Sequence, residues 1–476
     1  MSLGRAIIVA AIAIAPALVF GAMYYTRHAD HLRVSKINDD YSRFKAQFPL
    51  HIAPGTRYLT DAAGNPFLID GEAAWSILAQ LRHNDADAYL EDRRRRGVNL
   101  IVVNLIEHWF ADHAPNNAYG VPPFEQLGDF SKPIDKYYEY AQEIVSLAES
   151  KGIVVLLCPA YLGGDGGNEG WYGEMRKNGP DILHQFGRYV GQRFKKFHNI
   201  IWLQGGDYTP PEADLGLVAA VASGIREAAP TQMQTAHWSP ETSALDVNFD
   251  AALDLNTTYT YLPAYLKSLI DHNHGAVRTH FLVESKYEGD ELGSTQRSLR
   301  GQAYYALLTG AAGQVHGNRW IWPFVKPSIW NRIFARNWQS ALDSPMSRSM
   351  GYLHRLFSKI PWHQLAPDET YKILISGQGS KGKIDYPALA WQTNGNLAVA
   401  YVPTMQGVRI NLQHLVGPLR ANWYDPTNGN LIPVAGSPLV AQGEREFLPP
   451  SKNASGDTDW VLLLQTNIEP LQAVGQ

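Results

Sequence analysis

The chain predicts a (β/α)8 barrel followed by a smaller antiparallel β-sandwich, and three observations carry that expectation. From about residue 56 to 360, eight apolar strand-like runs alternate with amphipathic helical stretches, the pattern of a parallel sheet with crossover helices. After Pro361 the helical periodicity gives way to short alternating strands between turns such as Asn394-Gly395 and Asn428-Gly429. Two of the eight runs end in an acid, Asp207 and Glu284, where the strands of a barrel converge on one face.

In chain order, Ala6 to Tyr25 is an uncharged run long enough to span a bilayer. Residues 1–27 therefore read as a membrane anchor, with a cleaved export signal as the alternative. Residues 28–55 are polar and mixed and read as a tether. The barrel is expected over 56–362, with strands near Phe67–Gly71, Asn99–Ile106, Ile153–Pro159, Asn199–Gln204, Gln232–His237, Leu255–Tyr259, His280–Glu284 and Ala312–His316. Helical patterns fall between them, as at Asp135–Lys151 and Thr295–Leu308. An open doubly wound sheet is the rival fold, but no Gly-rich phosphate turn follows the first strand. The sandwich is expected over 363–467. The localisation that follows is the periplasm or cell surface of a bacterium, with residues 6–25 anchored in the inner membrane.

Composition excludes several classes of function. The 476 residues carry 41 basic and 45 acidic side chains, so nothing suggests a nucleic-acid partner. The single cysteine, Cys158, sits in an apolar strand and reads as a packed, inert thiol. Sixteen scattered histidines form no HExxH or Cys/His cluster, so no metal is expected, and no cofactor. No Gly-x-Ser-x-Gly elbow marks a serine hydrolase. Arg93 to Arg96 close a helix and read as a solvated end complementing its dipole. The 13 Trp and 24 Tyr suit a site that stacks sugar faces, although core packing uses the same rings.

The candidate chemistry rests on the paired acids. Gly205-Gly206 frees the backbone to turn and present Asp207. Glu284 follows four apolar residues, where an unpaired carboxylate is costly unless it faces a polar pocket. Two facing carboxylic acids are the equipment for glycosidic cleavage. Other groups at predicted strand ends complete a candidate sugar site: Glu72 and Trp75, Asn104, Glu107 and His108, Tyr161, His237 and Trp238, Tyr259, Tyr287 and Glu288, and His316 and Trp320. Tyr261, Asn318 and Trp322 lie beside them.

These residues carry a resemblance. Arg57-Tyr58-Leu59-Thr60-Asp61, Ala74-Trp75, Gly205-Gly206-Asp207 and Glu284-Ser285-Lys286-Tyr287-Glu288-Gly289 resemble the motifs of apiosidase-like glycoside hydrolases. Trp423-Tyr424-Asp425-Pro426 and Asp459-Trp460 are similar to the collagen-binding-like β-module that follows such barrels. The resemblance implies a retaining glycosidase with Asp207 as acid/base and Glu284 as nucleophile. It departs from the family at Glu72-Ala73-Ala74-Trp75, where Asp-Thr-Ala-Trp is usual, and at Ser285-Lys286. The expected function is an exported glycoside hydrolase acting on a poly- or oligosaccharide, in which burial and the charge of Glu284 raise the pKa of Asp207. A non-catalytic exopolysaccharide-binding envelope protein, or a transglycosylase, is the alternative on the same barrel.

Overall fold

A computed structural model describes residues 45–249, 251–289, 293–326 and 337–466. The expected membrane span at 6–25 lies outside the described residues. Among the described residues, no helix is long and apolar enough to cross a membrane.

Eight parallel strands form the barrel: β1 Ile69–Ala73, β2 Leu100–Asn104, β3 Val154–Cys158, β4 Ile200–Gly205, β5 Met233–His237, β6 Asn256–Tyr259, β7 His280–Glu284 and β8 Gly313–His316. They fall within two residues of the expected runs. Helices α1 His83–Arg95, α2 Asp135–Ser150, α3 Tyr172–Phe194, α4 Leu215–Ala228, α5 Ala264–Asn273, α6 Gln296–Leu308 and α7 Pro345–Phe357 lie outside the strands. Parallel pairing runs from β6 through β7, β8, β1, β2, β3 and β4 to β5. The seam between β5 and β6 is closed by Asp254 N–H to Gln234 O (2.8 Å) and by Thr235 Oγ1 to Leu255 O (3.0 Å). β2, β3, β4 and β7 read as nearly continuous apolar runs because both faces are buried. Ile69, Ala73, Leu100, Val102, Leu156, Ile201, Leu203, Phe281 and Val283 fill the interior, and alternate residues such as Ile101, Val103, Val155, Leu157 and Trp202 pack under the helices. A short hairpin at the N-terminal side, through His51–Ile52, Leu59–Thr60 and Pro66–Phe67, contributes Leu50, Leu59 and Phe67 to the interior cluster.

The run of arginines is not wholly solvated. Arg93 is fully buried and pairs with Glu72 (2.9 Å), while Arg96 pairs with Asp343 (2.8 Å). Helix periodicity turns one arginine in this run toward the barrel wall, where an acid on β1 meets it.

Two antiparallel sheets follow the barrel. The larger is ordered Ala366–Pro367, β9 Ala388–Trp391, β10 Leu397–Val402, β12 Trp460–Thr466, β11 Leu419–Tyr424 and Leu431–Pro433; Leu374–Ser376, Val408–Asn411 and Glu444–Phe447 form the smaller. Period-2 alternation sorts the larger sheet. Leu389, Ala398, Ala400, Leu462 and Leu464 face the second sheet, while Ala388, Val399, Tyr401, Val461 and Leu463 pack on α6 and α7. A bidentate ion pair fastens the two parts: Arg300 on α6 donates Nε and Nη2 to Asp459 at 3.0 and 2.7 Å, and Tyr401 donates to the same carboxylate at 3.1 Å. The β-domain thus packs along the helical side of the barrel.

Candidate active site

Local backbone chemistry delivers the first acid. Gly205 and Gly206 have φ of +85° and +124°, and Gly206 N–H donates to His237 O at 2.6 Å. A Cβ on Gly206 would lie 2.3 Å from the Tyr161 ring. The chain therefore needs glycine there in order to turn over Tyr161. Asp207 follows in the left-handed region (φ +52°), a conformation aspartate tolerates better than most residues. Gly206→Ala is expected to displace Asp207 and cost most of the activity while the far-ultraviolet circular dichroism is kept; retained wild-type rates would show that the turn does not set the acid. Glu284 closes β7 and is supplied by the continuous strand.

The two acids meet. One oxygen of Asp207, one of Glu284 and a ring nitrogen of His237 all lie within 4.8 Å of one another. His237 Nε2 sits 3.0 Å from Asp207 Oδ1 and 3.2 Å from Glu284 Oε2. Its ring is held between Trp75 (5.9 Å, near-parallel) and Tyr259 (4.6 Å), whose faces favour a cation. Tyr161 donates to Asp207 Oδ2 at 2.6 Å, and Trp75 Nε1 donates to Tyr287 Oη at 3.1 Å.

These contacts set the charges. Burial opposes the charged form of His237, but hydrogen bonds and attraction to both carboxylates outweigh it and raise the imidazole to about 9. Burial, with repulsion from Asp207, raises Glu284 to about 7 against the opposing pull of His237 and Tyr287. Burial also pushes Asp207 up, but hydrogen bonds from His237, Tyr161 and Tyr259 hold it below its ordinary value. The expected elevation of Asp207 is thus reversed. His237 and the tyrosines stabilise its charge, and the raised carboxyl is Glu284. The three residues are the one group among the described residues whose spacing could hold a metal ion.

The cavity at this point has a volume of about 220 Å³. Trp75, Asn104, Tyr161 and Tyr287 line it with Asp207 and Glu284, while His237 and Tyr259 stand directly behind the acids. The remaining candidates do other work. Glu72 and His316 point away from the interior, 3.2 Å apart, because the strand period that sends Ala73 and Val315 inward sends them outward. Glu107 is buried, taking Ser76 Oγ at 2.7 Å and the amides of His108, Trp109 and Phe110 at 3.0, 3.3 and 3.3 Å, so it shapes the loop after β2. His108 rests edge-on against Trp171 at 4.6 Å. Trp238 is buried behind Gly205 and donates to Ala244 O at 3.1 Å. Glu288 accepts from Gln296, Asn318 and the Met346 amide at 2.7, 2.9 and 3.1 Å, tying together three segments behind the site. Trp320 packs against Gly289.

Four lining residues stood outside the candidate set. Tyr261 and Trp322 were visible at strand ends, but Phe110 and Glu169 were not singled out. Glu169 lies in the glycine-dense loop 163–170 after β3, where the density of glycines beside a strand end was the available signal.

The chain matches no curated protein. Among solved structures it is similar to a glycoside hydrolase family 5 protein from Bacteroides vulgatus, with 20% identity and a TM-score of 0.75 over 90% of this chain and 98% of that one. It is also similar to a structure described as a glycoside hydrolase, with 22% identity and a TM-score of 0.73 over 89% and 99%. At these identities the likeness establishes a shared fold. Residues 373–465 match the model described as "Putative collagen-binding domain of a collagenase". Residues 53–364 match the model of the apiosidase-like catalytic domain, and the chain belongs to that family.

Proposed function

We propose that this protein is an exported glycoside hydrolase that cleaves a poly- or oligosaccharide with retention of configuration, using Glu284 as nucleophile and Asp207 as acid/base. The observation that carries this reading is the meeting of Asp207 and Glu284 oxygens within 4.8 Å across a cavity walled by aromatic rings. That spacing suits the roughly 5–5.5 Å carboxyl separation of retaining enzymes and leaves too little room for the water of an inverting one. Export, with tethering through residues 6–25, rests on the uncharged N-terminal run.

Glu284 attacks the anomeric carbon while the leaving oxygen takes a proton from Asp207; Asp207 then deprotonates the incoming water and the glycosyl-enzyme is released. Protonation is favoured on Glu284 and His237 rather than on Asp207. His237 Nε2, within reach of both acids, passes its own proton to Asp207 as the sugar enters, so the reactive form has Glu284 ionised.

A pH profile tests this. Glu284 must be ionised to attack, so kcat/KM should rise as pH passes through about 7. It should fall beyond about 9, where His237 loses its proton and two buried carboxylates face each other without a cation. These limbs belong to the coupled group as a whole. A rate that falls as pH rises through 7 would give the proton-donor role to Glu284.

A further inference from the structure

A second cavity, of about 360 Å³, opens at the other end of the barrel from Asp207 and Glu284, a size that accommodates a small molecule. Residues 55–58, carrying Arg57 and Tyr58, form one side, and His272 and Leu307, at the ends of α5 and α6, form another. Because β7 and β8 begin just beyond these helix ends, at His280 and Gly313, this is the face of the strand N-termini. Trp362 and His363 close the cavity where the chain enters the β-domain. Arg57 is the one Lys or Arg on the lining, and no Asp or Glu lines it. Arg57 is half-buried, and among the described residues it has no hydrogen bond or ion pair. The acid that attracts it, Glu369, stands outside the lining and is engaged by Asn273 Nδ2 at 2.7 Å. The carbonyls at the end of α6 are taken by the amides of Thr309, Gly310 and Ala311 at 3.0 to 3.3 Å. Burial and the Arg57 charge hold His272 down to about 4, and burial lowers His363, so both imidazoles are neutral at pH 7. Beside this single charge lies a ring wall, with Tyr58 edge-on to Trp362 and His363 at 5.9 and 5.2 Å.

We infer that this cavity binds a small organic monoanion, with a carboxylate or phosphodiester group on the Arg57 guanidinium and an apolar body against Tyr58 and Trp362. A partly desolvated charge without a partner is costly, and a ligand of opposite charge offsets that cost. The guanidinium fork grips two oxygens of such a group in parallel. One arginine beside neutral imidazoles matches one negative charge, and a second would meet Glu369 with nothing to balance it. The site lies apart from the barrel mouth and stands independently of the glycosidase reading.

The test titrates the full chain with phenylacetate, methyl phenyl phosphate and the uncharged benzyl alcohol, followed by ligand-observed NMR. At least one anion should bind at millimolar concentration, about tenfold or more tighter than benzyl alcohol, as a charge-assisted contact demands. Arg57→Gln should remove that preference, and Arg57→Lys, which keeps the charge without the fork, should restore part of it. The stronger of the two anions names the group the site takes. A second measurement needs no variant: phenylglyoxal modification of arginines, read by peptide mass spectrometry, should be slowed at Arg57 by the bound anion and unchanged at the exposed Arg95. Failure of both anions to bind, anion binding undiminished in a folded Arg57→Gln, or an Arg57 modified equally fast with and without the anion would overturn the inference.

Discussion

Asp207→Asn is expected to lower kcat/KM by about 10²–10⁴-fold on oligosaccharides, whose departing alcohol needs a proton. The same variant should lose far less on aryl glycosides, since a phenolate departs without help. Glu284→Gln removes the attacking oxygen, so its loss should be at least as large and indifferent to the leaving group. Both substitutions are close to isosteric, and each removes one negative charge beside a His237 raised to about 9. That imidazole should therefore titrate lower in either variant, while the fold survives. Initial rates on the two substrate types, with circular dichroism as control, separate the roles. Equal losses on both substrate types for Asp207→Asn would contradict its assignment as the acid.

The largest effect on stability is expected behind the barrel wall. Glu72, on β1, is fully buried against Arg93 on α1 at 2.9 Å, and also accepts from Tyr89 at 2.7 Å. Burial raises Glu72, but Arg93, His316 and Tyr89 more than offset this and bring it down to about 2. Glu72→Ala or Arg93→Ala strands one buried charge, which typically costs roughly 3–5 kcal/mol. Replacing both by apolar residues of similar volume should recover much of the loss, as denaturation midpoints would show. Because the folded pKa of Glu72 is depressed, its contribution is present above its ordinary value of 4.5 and fades as pH falls toward 2. Asp70, two residues back on β1, has the opposite sign. Burial raises it to about 7, so its contribution is present below 3.8 and is lost as pH rises through 7. Glu72→Gln should therefore flatten the acid limb of the stability profile and leave the alkaline one.

The contrast between Glu72 and Asp207 shows what the amino-acid sequence could convey. Strand identity was most legible where both buried faces are apolar, as in the run Ile153–Cys158, which cannot be a surface element. The candidate acid pair was legible because Asp207 and Glu284 end such runs, where the strands stop and the pocket begins. Glu72 and His316 lie at strand ends too, but on the outward side of the wall, and a buried ion pair satisfies them there. A list of strand-end polar residues carries no parity, and parity decides which face an acid meets. Glu169 was hidden for another reason. Its loop has no period, and its place in the cavity depends on the turn through Gly163–Gly170. The direction of the Asp207 shift was equally out of reach, since it depends on three partners from β3, β5 and the end of β6 brought within hydrogen-bond distance.

The central claim is that Glu284 forms a covalent bond to the sugar while Asp207 moves the proton. Incubation with a set of 2-deoxy-2-fluoroglycosyl fluorides, followed by digestion and mass spectrometry, addresses it directly: the electronegative fluorine slows breakdown of the glycosyl-enzyme, which then accumulates. The account predicts one adduct, on the peptide carrying Glu284, absent from Glu284→Gln and retained in Asp207→Asn. An adduct on Asp207, or hydrolysis of a natural substrate with inverted configuration and no adduct, would contradict it.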